Sequence, residues 1–110
     1  YEIKLRPEAY GKLATVYIRW QDPDTHSVTE LSKDFDSGEL FSDFREASPY
    51  FQRDVIVAEF AEILKESYWA EGSTLDSVYR EAERLYESMP RERDMEELVD
   101  LIHRAIRLSY

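Results

Sequence analysis

The sequence predicts an α+β fold, in which a short antiparallel sheet of about three strands packs against a bundle of three helices. Strand-like alternation is confined to residues 1–35, and helical periodicity follows at residues 48–71, 74–89 and 94–109. Strands that come first and helices that come last favour α+β over an alternating α/β fold. Because 110 residues is the size of one compact domain, we expect a single domain spanning residues 1–110.

The N-terminal third predicts three strands. Residues 1–6 (YEIKLR) alternate apolar and polar side chains, residues 13–21 form the clearest strand, and residues 27–35 alternate more loosely. An Asp-Pro-Asp-Thr turn at residues 22–25 makes the last two strands a hairpin. The two faces of the clearest strand separate as Ala14, Val16, Ile18 and Trp20 on one side and Thr15, Tyr17, Arg19 and Gln21 on the other.

The longest apolar segment, residues 48–71, predicts a central helix. Ser48 can cap its N-terminus, Pro49 suits the first helical position, and Gly72 is the expected stop. One broad apolar arc contains Ile56, Val57, Phe60, Ala61, Ile63, Leu64 and Tyr68, whereas Gln52, Glu59, Glu62 and Glu66 gather opposite. An arc this wide predicts contacts with more than one other element.

Two shorter helices carry clean apolar stripes. In the segment 74–89 the stripe is Leu75, Val78, Tyr79, Ala82, Leu85, Tyr86 and Met89, and in 94–109 it is Met95, Leu98, Val99, Ile102, Ala105 and Ile106. Ser73 with Asp76, and Asp94 with Glu97, have the spacing of capping boxes at the two N-termini.

Composition narrows the classes of partner. A formal net charge of −10 argues against nucleic acid and anionic membranes, because both require a basic patch. No apolar run is long enough to span a bilayer, so we expect no direct membrane insertion. The absence of cysteine removes disulfides, thiolate metal sites and Cys nucleophiles. Since the sequence starts at Tyr1 with a strand-like segment, we expect the excised C-terminal part of a longer protein.

No residue set predicts catalysis, a metal site or a cofactor. Nucleophile-elbow and phosphate-loop motifs are absent, because the glycines at positions 11, 38 and 72 are widely scattered. His103 near a helix C-terminus suits the helix dipole better than the role of a base. We therefore expect a protein that is not an enzyme. One alternative stays open, a cryptic hydrolase or metal-binding domain that uses Asp22, Asp24 and His26 together with helix carboxylates such as Glu59, Glu62 and Glu66.

The aromatic residues indicate an interaction surface. Tyrosine and tryptophan bury a large area and keep a polar tip, which favours them at protein interfaces. We assign the candidate surface to Tyr17, Arg19, Trp20 and Trp69, with Tyr17 and Arg19 as the first contacts to test against a neighbouring domain. A second alternative is self-association, in which strand edges or the long helix pair between copies.

Several segments also carry a family resemblance. They are YEI at 1–3, LATVYIRWQDPD at 13–24, VAEFAEILKES at 57–67, STLDSVYREA at 73–82 and ELVDLI at 97–102. In this order they resemble the C-terminal domain that follows the von Willebrand factor type A domain in bacterial YfbK-like proteins.

This resemblance implies a non-catalytic accessory domain of an envelope-associated protein. The implied partner is the preceding von Willebrand factor type A domain of the same chain, and another protein is a further candidate. The metal-ion-dependent adhesion site of such proteins belongs to that preceding domain, and no residue here matches its Asp-x-Ser-x-Ser motif. No metal ligand therefore carries over to this chain.

Overall fold

The computed structural model describes residues 3–109. By its internal contacts the chain divides into two compact units, Tyr1–Ser42 and Asp43–Tyr110. The first unit contains the strands and the second contains the helices. The α+β class predicted from the sequence is confirmed.

The first unit is a β-hairpin. Strand β1 (Lys12–Gln21) pairs antiparallel with β2 (Val28–Asp36), which agrees within one residue with the two strands predicted at 13–21 and 27–35. Ile18 lies opposite Leu31, and Trp20 lies opposite Thr29. An irregularity between Lys12 and Ala14 shifts the register near the open end of the hairpin.

Both ends of the hairpin are closed by local hydrogen bonds. At the turn, Oδ1 of Asp22 accepts from the backbone N–H of Asp24 at 2.9 Å and of Thr25 at 2.8 Å. At the open end, Gly11 donates to Oγ of Ser37 at 3.0 Å, and the Ser37 N–H returns a 2.8 Å bond to the Gly11 carbonyl. Gly11 has a φ of 79°, a conformation that glycine adopts without steric cost.

The predicted strand at residues 1–6 is wrong over the part that the structure describes. Residues 3–6 form no strand, and the chain turns directly after them, where the Ala9 N–H bonds the Arg6 carbonyl at 3.0 Å. Tyr1 and Glu2 lie outside the described residues. A strand needs a hydrogen-bonded neighbour, and the alternation of side chains alone does not supply one. Residues 3–109 thus contain a two-stranded sheet where about three strands were predicted.

The second unit is a bundle of three helices, α1 (Pro49–Leu64), α2 (Leu75–Ser88) and α3 (Arg93–Leu108). Its core consists of the buried side chains of Ile56, Val78, Ala82, Leu85, Met89, Met95, Leu98 and Ile102. All but Ile56 belong to α2, α3 or the residue that ends α2, as their apolar stripes predict. The 3₁₀ turn at Phe44–Glu46 precedes α1, and Phe44 packs against this core.

The central helix ends seven residues earlier than predicted, at Leu64 rather than residue 71. Glu66 takes a left-handed φ of 54°, and the N–H groups of Glu66 and Ser67 bond the carbonyls of Ile63 and Glu62, both at 3.0 Å. These two bonds make a Schellman motif, with glutamate where glycine is usual. Ser67 then caps a separate 3₁₀ turn, Tyr68–Ala70, so Gly72 stops no α-helix.

The caps of the other two helices also differ from the predictions. Thr74 and Ser77 form the capping box of α2, each side chain bonding the other's backbone N–H at 3.1 Å. Ser73 instead donates to Oε1 of Glu59 at 2.6 Å. Helix α3 has Glu92 at its N-cap and no side-chain capping bond, so the box predicted for Asp94 and Glu97 is wrong.

Gln52 is the largest departure from the predicted pattern of α1. Its side chain was assigned to the polar side, but it is buried in the bundle and only 3% exposed. Its Nε2 donates to the carbonyls of Ala47 at 2.7 Å and Arg45 at 3.2 Å, and its Oε1 accepts from Arg84 at 2.7 Å. Because every polar atom has a partner, the amide is buried without a large desolvation penalty.

Among residues 3–109, no helix has the length and apolar character that crossing a membrane requires.

Candidate interaction surface

The hairpin has one polar face, and two of the predicted contact residues lie on it. Tyr17 is 66% exposed and lies opposite Ser32, and Arg19 lies opposite Glu30. Beside them, Oγ1 of Thr15 donates to Asp34 at 2.7 Å. Tyr17 is thus an exposed aromatic ring among polar and charged neighbours.

Trp20 lies on the opposite face of the hairpin, because successive side chains of a strand point to opposite sides. This apolar face comprises Ala14, Val16, Ile18, Trp20, Leu31 and Phe35, together with Thr29 and Lys33. Val16, Ile18, Trp20 and Leu31 are exposed by 55%, 54%, 46% and 49%. Four large apolar side chains therefore adjoin one another on a single exposed surface.

The first unit has no buried side chain among its described residues, 3–42. Its strands are held by backbone pairing and by exposed polar contacts such as the 3.7 Å ion pair between Lys12 and Asp34. A two-stranded hairpin on its own is marginally stable in water, and an apolar surface that packs on it is the usual remedy. The apolar face is thus the part of this unit that a packing partner could cover.

The fourth predicted contact residue, Trp69, belongs to the second unit. It lies in the 3₁₀ turn Tyr68–Ala70, is 69% exposed, and makes an edge-to-face contact with Tyr68 at a centroid distance of 5.5 Å. The three predicted residues on the hairpin therefore do not make one surface. Tyr17 and Arg19 share a face, Trp20 lies on the other, and Trp69 is in a different unit; their role as contacts stays a prediction.

A second exposed apolar surface lies on α1 and was missed by the sequence analysis. The sequence pattern places Val57, Ala61 and Leu64 on one arc with Ile56, Phe60 and Ile63. The structure divides that arc: Ile56 is buried and Phe60 and Ile63 pack against the core, but Val57 and Leu64 are 45% and 58% exposed. Tyr50 and Phe51, at the start of the helix, are also exposed, by 53% and 56%.

The alternative metal site at the hairpin turn gains no support. The Asp22 carboxylate closes the turn, and the N–H groups of Thr25 and Asp24 hold its pKa below the ordinary value. Within residues 3–109, no three His, Cys, Asp or Glu side chains come together as a group that could hold a metal ion.

His103 takes part in packing rather than in a cluster of polar groups. Its ring lies 5.6 Å from that of Tyr79 across the contact between α2 and α3. A hydrogen bond with Glu83 raises the pKa of the Tyr79 hydroxyl above its ordinary value.

The chain consists of a hairpin followed by three helices. Its sequence matches a protein family along nearly the whole length. Residues 2–108 match the family described as "Uncharacterized protein YfbK, C-terminal". The chain belongs to the YfbK C-terminal family. The comparisons with curated proteins and with solved structures gave no match.

The sequence identifies the two apolar surfaces of this YfbK C-terminal domain only in part. Alternation in β1 does identify the face of Val16, Ile18 and Trp20, but it cannot show whether that face is covered within the chain. In α1, the seven-residue spacing of Tyr50, Val57 and Leu64 is a separate stripe from the one that includes Ile56.

Proposed function

We propose that this chain is a non-catalytic accessory domain that binds a neighbouring protein domain through the apolar face of its hairpin. The occupant is the preceding von Willebrand factor type A domain of the same envelope-associated protein. One observation carries the proposal: Val16, Ile18, Trp20 and Leu31 form an exposed apolar surface on a unit that has no buried side chain among residues 3–42.

The energetics of a hairpin support a docked role. Folding of a segment must offset the loss of conformational entropy, roughly 1–2 kcal/mol per residue for the backbone alone. Apolar burial is the main compensating contribution, at roughly 25 cal/mol per Å². Because the apolar face is exposed, that contribution becomes available only when a partner covers it.

The family description supports the choice of partner. Its description refers to the C-terminal part of YfbK, so a domain that precedes this one is the natural neighbour. The resemblance of LATVYIRWQDPD and VAEFAEILKES to the domain that follows a von Willebrand factor type A domain supports that choice of neighbour. Rigid attachment would let this chain position or extend the binding surface of the preceding domain.

The experiment compares backbone hydrogen exchange of the hairpin in this chain alone and in the full-length protein. If the face is docked, the amides of β1 and β2 exchange at least tenfold more slowly in the full-length protein. The substitutions Ile18→Ser and Leu31→Ser, at directly opposed positions, should remove this difference. Equal exchange rates in the two proteins would refute the proposed docking.

A matched control uses the other face. Tyr17→Ser also removes a large exposed side chain from the centre of β1, but from the polar face. We expect it to leave the protection in the full-length protein unchanged. Loss of protection in Tyr17→Ser, with none in Ile18→Ser and Leu31→Ser, would assign the interface to the polar face and overturn the proposal.

A further inference from the structure

The exposed side of α1 carries a regular stripe, which we call the outer stripe: Tyr50, Asp54, Val57, Ala61 and Leu64. The intervals between its members are four, three, four and three residues. That alternation is the spacing of a coiled-coil seam, in which one helix packs along another. All five residues are exposed, and the core-facing side of the same helix is separately occupied by Ile56, Phe60 and Ile63.

Small residues make close approach of a second helix possible. Ala58 and Ala61 are both exposed and lie in the C-terminal half of α1. Tyr50 is held in place at the other end, because Arg53 lies 5.3 Å from its ring centroid and its hydroxyl bonds Glu92 at 3.3 Å. A side chain that is already restrained loses less conformational entropy on binding.

The outer stripe is self-complementary about its centre. Tyr50 and Leu64 each lie seven residues from Val57, so an antiparallel copy of α1 places Tyr50 on Leu64 at both ends and Val57 on Val57 in the middle. An interface built from one patch that faces itself is the geometry of a two-fold dimer.

Charge also favours the antiparallel arrangement. Asp54 and Lys65 are side chains of opposite sign near opposite ends of the stripe, 67% and 69% exposed. Helical side chains point toward the N-terminus, so Lys65 extends over the turn of Ala61, which faces Asp54 of the second copy. A parallel pair would instead bring Asp54 against Asp54.

Asp54 and Lys65 already form ion pairs within their own helix, but these pairs do not prevent them from pairing across the dimer. Asp54 bonds Arg53 at 3.1 Å, and Lys65 bonds Glu62 at 3.2 Å, both on the helix surface. Exposed pairs of this kind contribute little to stability.

We infer that α1 is a self-association surface, through which two copies of this chain pair antiparallel across Val57. The apolar area that each copy can bury sets the strength of the dimer. Tyr50, Val57 and Leu64, each about half exposed, together offer roughly 300 Å² per copy, less than half the ~800 Å² per partner of a standard stable interface. The dimer is therefore weak, and its population depends on concentration between micromolar and millimolar. This inference concerns the second unit and does not depend on the proposed docking of the hairpin.

Sedimentation velocity of the 110-residue chain, from micromolar to millimolar concentration, measures this equilibrium. We expect the mass to rise from monomer toward dimer, and Val57→Arg to abolish the rise because it places two positive charges against each other at the centre. Leu101→Arg is the matched control: Leu101 is a 53% exposed leucine on α3, outside the stripe, and its replacement should leave the equilibrium unchanged. Circular dichroism establishes that both variants remain helical.

A charge exchange tests the direction of pairing. Asp54→Lys alone and Lys65→Asp alone should each weaken the dimer by several-fold, and the double variant should restore it. Because the chain has no cysteine, Val57→Cys adds a single thiol that should form a disulfide-linked dimer on mild oxidation, whereas Leu101→Cys should not. A monomer at every concentration would overturn the inference. A dimer that Val57→Arg leaves intact would overturn it equally.

Discussion

Arg84 of α2 donates a 2.7 Å hydrogen bond from Nη2 to Oε1 of Gln52, the one buried polar side chain among the described residues. Arg84 also bonds Glu81 at 2.9 Å, and Glu81 accepts a 2.7 Å bond from Arg45. These hydrogen bonds form one continuous chain that joins α1, α2 and the segment before α1. At its end, the Gln52 side chain donates to the carbonyls of Ala47 and Arg45.

Replacing Gln52 by a residue of similar volume should still destabilise the helical unit strongly. Gln52→Leu keeps the volume but removes the donor to the Ala47 carbonyl and the acceptor of one Arg84 N–H group, and each unsatisfied group costs about 1–3 kcal/mol. We expect a loss of about 2–3 kcal/mol in the free energy of unfolding, measured by urea denaturation followed by circular dichroism.

The control for this change is the chain's other glutamine. Gln21 is exposed and donates a single 3.2 Å bond to the His26 carbonyl. Gln21→Leu should alter the unfolding of the helices by less than about 0.5 kcal/mol. If Gln52→Leu is as mild as Gln21→Leu, the hydrogen-bond chain does not stabilise the bundle.

Glu81 makes the stability of this chain pH-dependent in acid. Hydrogen bonds from Arg45, and then from Arg84, lower the pKa of Glu81 below its ordinary value. A carboxyl whose folded pKa lies below its unfolded pKa contributes its full stabilisation above the unfolded value, about 4.3, and loses it as the pH falls through the lower folded pKa.

Thermal unfolding between pH 7 and pH 2 tests that sign. The wild-type chain should lose stability below about pH 4.3, and Glu81→Gln should be less stable at pH 7 but lose less on acidification. Glu97→Gln is a suitable control, since Glu97 makes an exposed 3.6 Å ion pair with Arg93. An acid transition of equal size in Glu81→Gln and wild type would show that other carboxylates cause it.

The N-terminus of α2 offers a comparison of two adjacent residues. Thr74 caps the helix, whereas Ser73, the residue favoured by the sequence, bonds Glu59. Thr74→Ala should therefore cost about 1 kcal/mol by loss of the cap. The Thr74→Ala loss should disappear in a variant that restores an N-cap side chain, Thr74→Ser.

Ser73→Ala should act through a different contact. Its effect should vanish in a Glu59→Gln background if the 2.6 Å bond to Glu59 is its main contribution, as a double-mutant cycle would show. If the effect of Ser73→Ala persists there and Thr74→Ala is neutral, the cap lies one residue earlier, as the sequence had suggested.

Sequence patterns predicted α2 and α3 within one residue, because each buries a single stripe and the stripe is visible in the sequence. They failed for α1 in two places where specific hydrogen bonds decide the outcome. Gln52 is buried because specific carbonyls and Arg84 satisfy it, and that pairing depends on the folded bundle. The faces of the hairpin were predicted correctly, but exposure is a property of the whole fold and is not encoded in alternation.

The end of α1 is the second failure, and it leads to a prediction of increased stability. Glu66 has a φ of 54° at the C′ position of the Schellman motif, where residues with a Cβ are strained and glycine is not. Glu66→Gly should raise the free energy of unfolding by about 0.5–1 kcal/mol, since relief of strain exceeds the added flexibility of the unfolded chain.

Lys65→Gly is the neighbouring control: its φ of −77° is ordinary, so glycine there should destabilise the unit by a similar amount. Opposite signs for the two substitutions in chemical denaturation would establish that Glu66 ends the helix under strain; destabilisation by both would show that the glutamate side chain contributes more than its backbone conformation costs.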